Sequence, residues 1–208
     1  MPNKRNYQRE LDDLIAALDR RPRLLLHCCC APCSSYVLEY LASHFDITTF
    51  YYNPNISPEA EFRKRADELR RLLRETGAPA AYREGGYDPE RFFAMAKGME
   101  EQPEGGARCA KCYELRLRET AALARAEGFD YFTTTLSISP YKDAEKLNEI
   151  GGRLAQEYGV AYLYSDFKKK NGYRRSIELS EEYGLYRQDY CGCVFSKREA
   201  EQRRAGRD

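Results

Sequence analysis

Between residues 5 and 18 the apolar side chains Tyr7, Leu11, Leu14, Ile15 and Leu18 recur at helical spacing, which predicts a leading amphipathic helix. The period then breaks. Arg23-Leu24-Leu25-Leu26-His27 is a short continuous apolar run of the kind that forms a strand buried on both faces. Ser34 or Ser35 offers an N-cap for a helix through Ser43, and the β-branched and aromatic stretch Asp46 to Tyr52 reads as a second strand. Pro58 suits the first position of a helix that runs to about Glu75 and stops at Gly77. A third strand is expected over Ala80 to Arg83, a turn at Gly85-Gly86, and another helix from Asp88-Pro89. Residues 98–108, which contain Gln-Pro-Glu-Gly-Gly, read as a mobile loop leading into Cys109. Beyond it come a helix from Cys112 to Gly128, a strand from Phe129 to Thr135, a helix from Asp143 to Tyr158 and a strand near Val160 to Tyr164. Strand and helix alternate throughout. That order predicts an α/β fold with a parallel sheet flanked by helices, whose ligands sit beyond the carboxyl ends of the strands.

The 208 residues fit one α/β metal-binding catalytic domain over 1–208, with a leading helix in 1–22 and a basic tail over 196–208. Charge is balanced: 34 Lys and Arg against 33 Asp and Glu leave +1, so any polyanion must meet a local patch. Lys168-Lys169-Lys170-Asn-Gly-Tyr173-Arg174-Arg175 is the one segment with five basic residues and no acid. The first 23 residues hold no apolar run of signal-peptide or membrane-spanning length, so a cytoplasmic location is expected. Clustered thiols in a reducing compartment are read as metal ligands or redox groups rather than disulfides.

Eight cysteines fall mainly in three clusters: Cys28-Cys29-Cys30-Ala-Pro-Cys33, Cys109-x-x-Cys112 and Cys191-Gly-Cys193. On its own, Cys109-x-x-Cys112 fits a structural zinc half-site or a thioredoxin-like dithiol as well as a larger cluster. Side chains of adjacent residues on an extended chain point to opposite sides, so consecutive cysteines cannot all bind one small ion without a sharp turn. Cys28, first of the run, reads equally as a buried small hydrophobe. The other seven thiolates exceed the four that a [4Fe-4S] cluster or a structural zinc takes, and the surplus points to a second metal with an open position.

Several stretches together resemble the epoxyqueuosine reductases of the QueH type. They are Leu-Leu-His27-x-Cys29-Cys30-Ala-Pro-Cys33, Cys109-x-x-Cys112-Tyr113-x-Leu-Arg116-Leu, Thr134-Thr135-Leu136-x-Ile-Ser139-Pro140, Asp166-Phe167-Lys168-Lys169 and Tyr186-Arg187-Gln188-x-Tyr190-Cys191-Gly192-Cys193-x-Phe-Ser196. The resemblance spans about residues 23 to 198. It implies two-electron removal of the epoxide oxygen of epoxyqueuosine in tRNA, the last step of queuosine biosynthesis. It further implies a Rossmann-like core similar to that of adenine nucleotide α-hydrolases, a [4Fe-4S] cluster and an adjacent mononuclear metal, with iron expected. A glycine-rich phosphate loop is absent after the first strand, so no use of ATP is expected.

Given that reading, Cys30, Cys109, Cys112 and Cys191 are expected to hold the cluster, and Cys29, Cys33 and Cys193 the second metal. Asp189 and Tyr190 are candidate catalytic proton donors beside the Cys-Gly-Cys pair, while His27 is weighed as a satisfied core histidine. Lys168, Lys169, Lys170, Tyr173, Arg174 and Arg175 form the candidate RNA-binding patch. An external one-electron donor such as a ferredoxin or flavodoxin is the second expected partner. Two other readings compete: a thiol-disulfide reductase of the heterodisulfide type, and a structural-zinc nucleic-acid module. Radical S-adenosylmethionine chemistry is disfavoured, because its C-x3-C-x2-C run would need a cysteine at Tyr36.

Overall fold

A computed structural model describes residues 5–206; the extremities of the leading segment and of the tail, 1–4 and 207–208, lie outside them. The three leucines of the first apolar run are fully buried in β1, Arg23–His27. Burying each such side chain stabilises the fold by about 1.5–3 kcal/mol, so β1 anchors the core. It pairs in parallel with β2, Asp46–Tyr51, on one side and with β4, Tyr131–Thr134, on the other. β3, Ala80–Glu84, lies outside β2, and the two-residue β5, Ala161–Tyr162, outside β4. The sheet order is β3-β2-β1-β4-β5, all parallel, which is the Rossmann-like arrangement expected from the alternation.

Successive residues of β1 face opposite ways. Leu24, Leu26 and Cys28 pack with Val37, Leu38 and Leu41 of α2, Ala31–Leu41, and with Phe62, Leu69 and Leu72 of α3, Glu59–Thr76. Leu25 packs on the other side with Leu117 and Ala121 of α5, Ala107–Ala126, and with Leu147, Ile150 and Leu154 of α6, Ala144–Tyr158. The leading helix is α1, Tyr7–Ala16, capped by the Asn6 side chain, and α4 covers Pro89–Ala96.

Several boundaries differ from the sequence reading, each for a local reason. α2 begins at Ala31 instead of at the serines, because Cys30 takes the extended N-cap conformation and Pro32 fits the first turn. α5 begins at Ala107, five residues early, which puts Cys109 on the helix rather than ahead of it and Cys112 one turn further in. Two helices were not foreseen: α7, Gly172–Glu182, and α8, Val194–Ala205, which contains most of the segment read as a basic tail. The 98–106 loop is tied down by the buried Arg108 guanidinium, which donates to the carbonyls of Met99 at 3.2 Å, Glu100 at 2.8 Å and Gln102.

The chain runs from β1 out to β3, then returns to the opposite side of β1 as β4. The carboxyl ends of β1 and β4 therefore form the point where strand order reverses, and open sheets of this kind bind ligands there.

Candidate active site

β1 ends at His27, and the chain enters the first thiol run there. Cys28 continues the ladder by donating its amide to the Phe50 carbonyl at 2.9 Å. Its side chain turns into the core, where burial pushes the thiol up to about 12. Cys29 turns the other way and meets the end of β4: its sulfur lies 3.7 Å from Thr135 Oγ1 and 3.8 Å from Cys30 Sγ. Cys33, in the first turn of α2, completes a group. The sulfurs of Cys29, Cys30 and Cys33 all lie within 4.8 Å of one another, close enough to hold one metal ion. Contacts from Cys30 and Cys33, helped by Thr135 and opposed by burial, pull the Cys29 thiol well below its usual range. Contact with Cys29 pushes Cys30 up against an opposing contact from Cys33, and Cys29 and Cys30 together push Cys33 up. Thiols this close resist ionising together, and a cation is what would let all three do so.

The other four thiols face a second, smaller cavity. Cys109 and Cys112 stand one turn apart on α5, while Cys193 caps α8 and receives the Ser196 amide at 3.3 Å. Cys191 completes the lining. Between the last two, Gly192 has φ +121°, and a Cβ there would sit 2.9 Å from Ile56 Cγ1 and 3.0 Å from Arg65 Nη1. Only glycine brings this backbone so close to α3. Burial raises Cys112 to about 11 and Cys193 to about 12.

Sequence reasoning placed Cys30 with Cys109, Cys112 and Cys191, and Cys193 with Cys29 and Cys33. The structure brings Cys30 to Cys29 and Cys33, and Cys193 to the other three.

The trio forms part of the wall of a cleft of about 630 Å³, and Glu104, Arg116 and Cys191 line both cavities. Arg116 is 1% exposed and reaches no carboxylate among the described residues. Nε donates to the Cys112 carbonyl at 3.2 Å, Nη1 meets Asn53 Oδ1 at 3.5 Å, and Nη2 has no partner among the described residues. Burial opposes its charge, but Cys112, Cys191 and Cys29 outweigh that and raise its pKa. The buried side-chain polar atoms without a partner among the described residues are Asn55 Oδ1, Tyr113 Oη, Arg116 Nη2 and Arg65 Nη2. All four belong to residues lining the two cavities. Such groups are costly unless a ligand satisfies them. Soft sulfur donors with cationic N–H groups around them fit an anionic iron-sulfur cluster and a thiolate-bound metal.

His27 stands apart from this chemistry. Its Nε2 donates to the Tyr52 carbonyl at 3.0 Å, and Nδ1 lies 2.8 Å from Thr134 Oγ1. A carbonyl can only accept, so Nε2 carries the proton of the neutral ring, Nδ1 accepts from the Thr134 hydroxyl, whose oxygen also accepts from the Leu136 amide, and the ring is a satisfied core histidine. Burial, then Arg116, lowers its pKa to about 4. Asp189 lies at the cleft mouth, paired with Arg204, which holds the carboxyl below its usual range. Tyr190 lines the cleft with its ring 5.2 Å from the Arg65 guanidinium, and burial raises its phenol.

Most of the basic patch is neutralised. Lys168 pairs with Asp166 at 2.7 Å, Lys170 with Asp12 at 2.5 Å, Arg174 with Glu178 at 3.1 Å and Arg175 with Glu39 at 2.8 Å. Lys169 is exposed, and Tyr173 lines the cleft. The sequence reading also gave no role to Arg65, or to Lys142, whose ammonium is buried against Glu104 at 3.0 Å. Arg116 did carry a signal, since it follows Cys112 by four residues on one helix face.

A parallel α/β sheet with thiols gathered at its switch point defines a cysteine-centred enzyme of the Rossmann-like class. The chain belongs to the epoxyqueuosine reductase QueH family, whose model matches residues 24–199, and is an oxidoreductase. It is 45% identical over 202 residues to an epoxyqueuosine reductase QueH of Staphylococcus epidermidis, covering 93% of this chain and 85% of the relative. A Streptococcus pyogenes protein of the same description is 44% identical, at 94% and 80% coverage. One from Thermotoga maritima is 35% identical, at 88% and 94%. Among the described residues no helix is long and apolar enough to cross a membrane.

Proposed function

We propose that this chain removes the epoxide oxygen of epoxyqueuosine in tRNA. Two electrons and two protons enter, the carbon–oxygen bonds break, and an alkene and water leave. The observation that carries this reading is the pair of thiol groups, three at the cleft and four beside it, that share Arg116 at the strand switch point.

Cys109, Cys112, Cys191 and Cys193 would hold a [4Fe-4S] cluster, and Cys29, Cys30 and Cys33 a mononuclear iron with a position open to the cleft. Relative to the sequence expectation, Cys30 and Cys193 exchange places. When bound, these groups supply single electrons and a Lewis acid for the departing oxygen. The chain's own residues do the rest. Arg65 and Arg116 direct unpaired N–H groups toward the cavities they line and favour negative charge there. Tyr190 offers a phenol proton inside the cleft, and Asp189, held by Arg204, orients the 187–191 segment. A ferredoxin or flavodoxin would deliver the electrons in the cytoplasm.

The test is anaerobic purification with iron, zinc and acid-labile sulfide measured, followed by incubation with reductant and tRNA carrying epoxyqueuosine. Mass spectrometry of the digested nucleosides should show loss of one oxygen. Zinc without sulfide overturns the cofactor assignment, and an unchanged nucleoside overturns the reaction.

A further inference from the structure

Tyr141 is the most exposed large hydrophobic residue among the described residues, at 77%, and it stands on the lining of the thiol cleft. Its backbone is held firmly. The Lys142 amide closes a turn onto the Ser139 carbonyl at 3.1 Å, Pro140 fixes φ within it, and the Tyr141 amide donates to Ser139 Oγ at 3.3 Å. Lys142 then plunges inward, 8% exposed, to Glu104. A ring presented outward from a turn pinned on both sides loses little freedom when something stacks on it.

Also lining this cleft are Tyr173 and, besides Arg65 and Arg116, the arginines Arg187, Arg203 and Arg204. Arg187 is held by the Ser176 carbonyl at 3.4 Å and Ser180 Oγ at 3.0 Å, with no carboxylate partner among the described residues. Arg203 forms no direct ion pair among the described residues and acts only at longer range on Asp189, whose direct partner is Arg204. The cleft lining therefore combines aromatic faces with uncompensated guanidinium charge, the pairing that single-stranded nucleic acid requires. The stretch 168–175 is mostly neutralised by carboxylates outside it and lacks that surplus.

We propose that Tyr141 is a stacking platform for a nucleobase of the substrate RNA next to the modified one, with Arg187 and Arg203 contacting the flanking phosphates. This rests on the tRNA reading above, and its test is kept separate by measuring binding rather than turnover. Labelled tRNA carrying epoxyqueuosine is titrated into the anaerobic holoenzyme without reductant and followed by fluorescence anisotropy. Y141A should weaken binding about tenfold, Y141W should retain it, and R187A and R203A should each lower the salt slope by about one. Unchanged affinity in Y141A, or a Y141W as weak as Y141A, overturns the platform. If Y141A keeps tRNA affinity but slows reduction by a protein electron donor, the cleft mouth docks that donor and the platform is again overturned. Wild-type protein that binds the tRNA without reducing it removes the reaction and leaves the platform standing. Absence of binding by the wild type removes both.

Discussion

At the scale of single residues, identical thiols have unlike surroundings, and this is where the proposed partition is exposed to test. C193A should lose acid-labile sulfide and the broad visible absorption of a cluster. C33A should keep both while losing about one iron per chain together with deoxygenation, as read by metal analysis beside the nucleoside assay. Sulfide lost from C33A and kept in C193A would reverse the partition. Arg116 yields a prediction independent of turnover. A buried cation without a carboxylate favours whichever cofactor state is more negative, and that is the reduced one. R116Q should therefore shift the cluster midpoint potential to more negative values in an anaerobic redox titration, with R116K closer to wild type. The cysteine count and the surplus over one cluster were legible in the sequence. Which thiols meet was not, because that depends on the direction each Cβ takes at the end of β1 and on helix starts a few residues from where propensity placed them.

Among the elements, the strands and the helices packed on the sheet were legible because each carries a strong apolar pattern, as Leu24 to Leu26 and the Leu147, Ile150, Leu154 face of α6 do. α7 and α8 were not. Among the described residues, α8 buries only Ser196 and Ala200 and has almost no apolar stripe to read, and α7 opens at Asn171 in a left-handed conformation. α8 is placed instead by polar and backbone contacts: the Ser196 hydroxyl accepts from the Cys191 amide at 2.8 Å, and the Ser57 amide donates to the Gly192 carbonyl at 3.0 Å. G192A strikes this junction through its positive φ and through Ile56 and Arg65. It should cost about 1–3 kcal/mol in urea unfolding, and lower iron content as Cys191 and Cys193 shift. Unchanged stability and metal content would show that the close approach is not required.

For the molecule as a whole, the thiols come from three distant stretches of chain, 28–33, 109–112 and 191–193, brought together by a sheet whose strand order reverses at β1 and β4. A metal group bridging the last two closes a loop of some eighty residues, and cross-links of that kind stabilise chiefly by restricting the unfolded chain. Removing iron with an anaerobic chelator should lower the unfolding temperature and open the segment around 184–193 to limited proteolysis while the sheet stays resistant. Equal protease resistance with and without metal would contradict the bridge. The strand pleat carries a last consequence. Cys28 faces the core and Cys29 the cleft, so the identity of the reactive thiol is a matter of parity along β1. A slip of one residue would exchange an inert sulfur for a reactive one with no change in composition. Leucine follows leucine on both faces, so the ends of β1 forbid that slip: one direction buries the exposed Arg23, the other pulls His27 from Thr134 and Tyr52, and these polar ends keep the chemistry at its address.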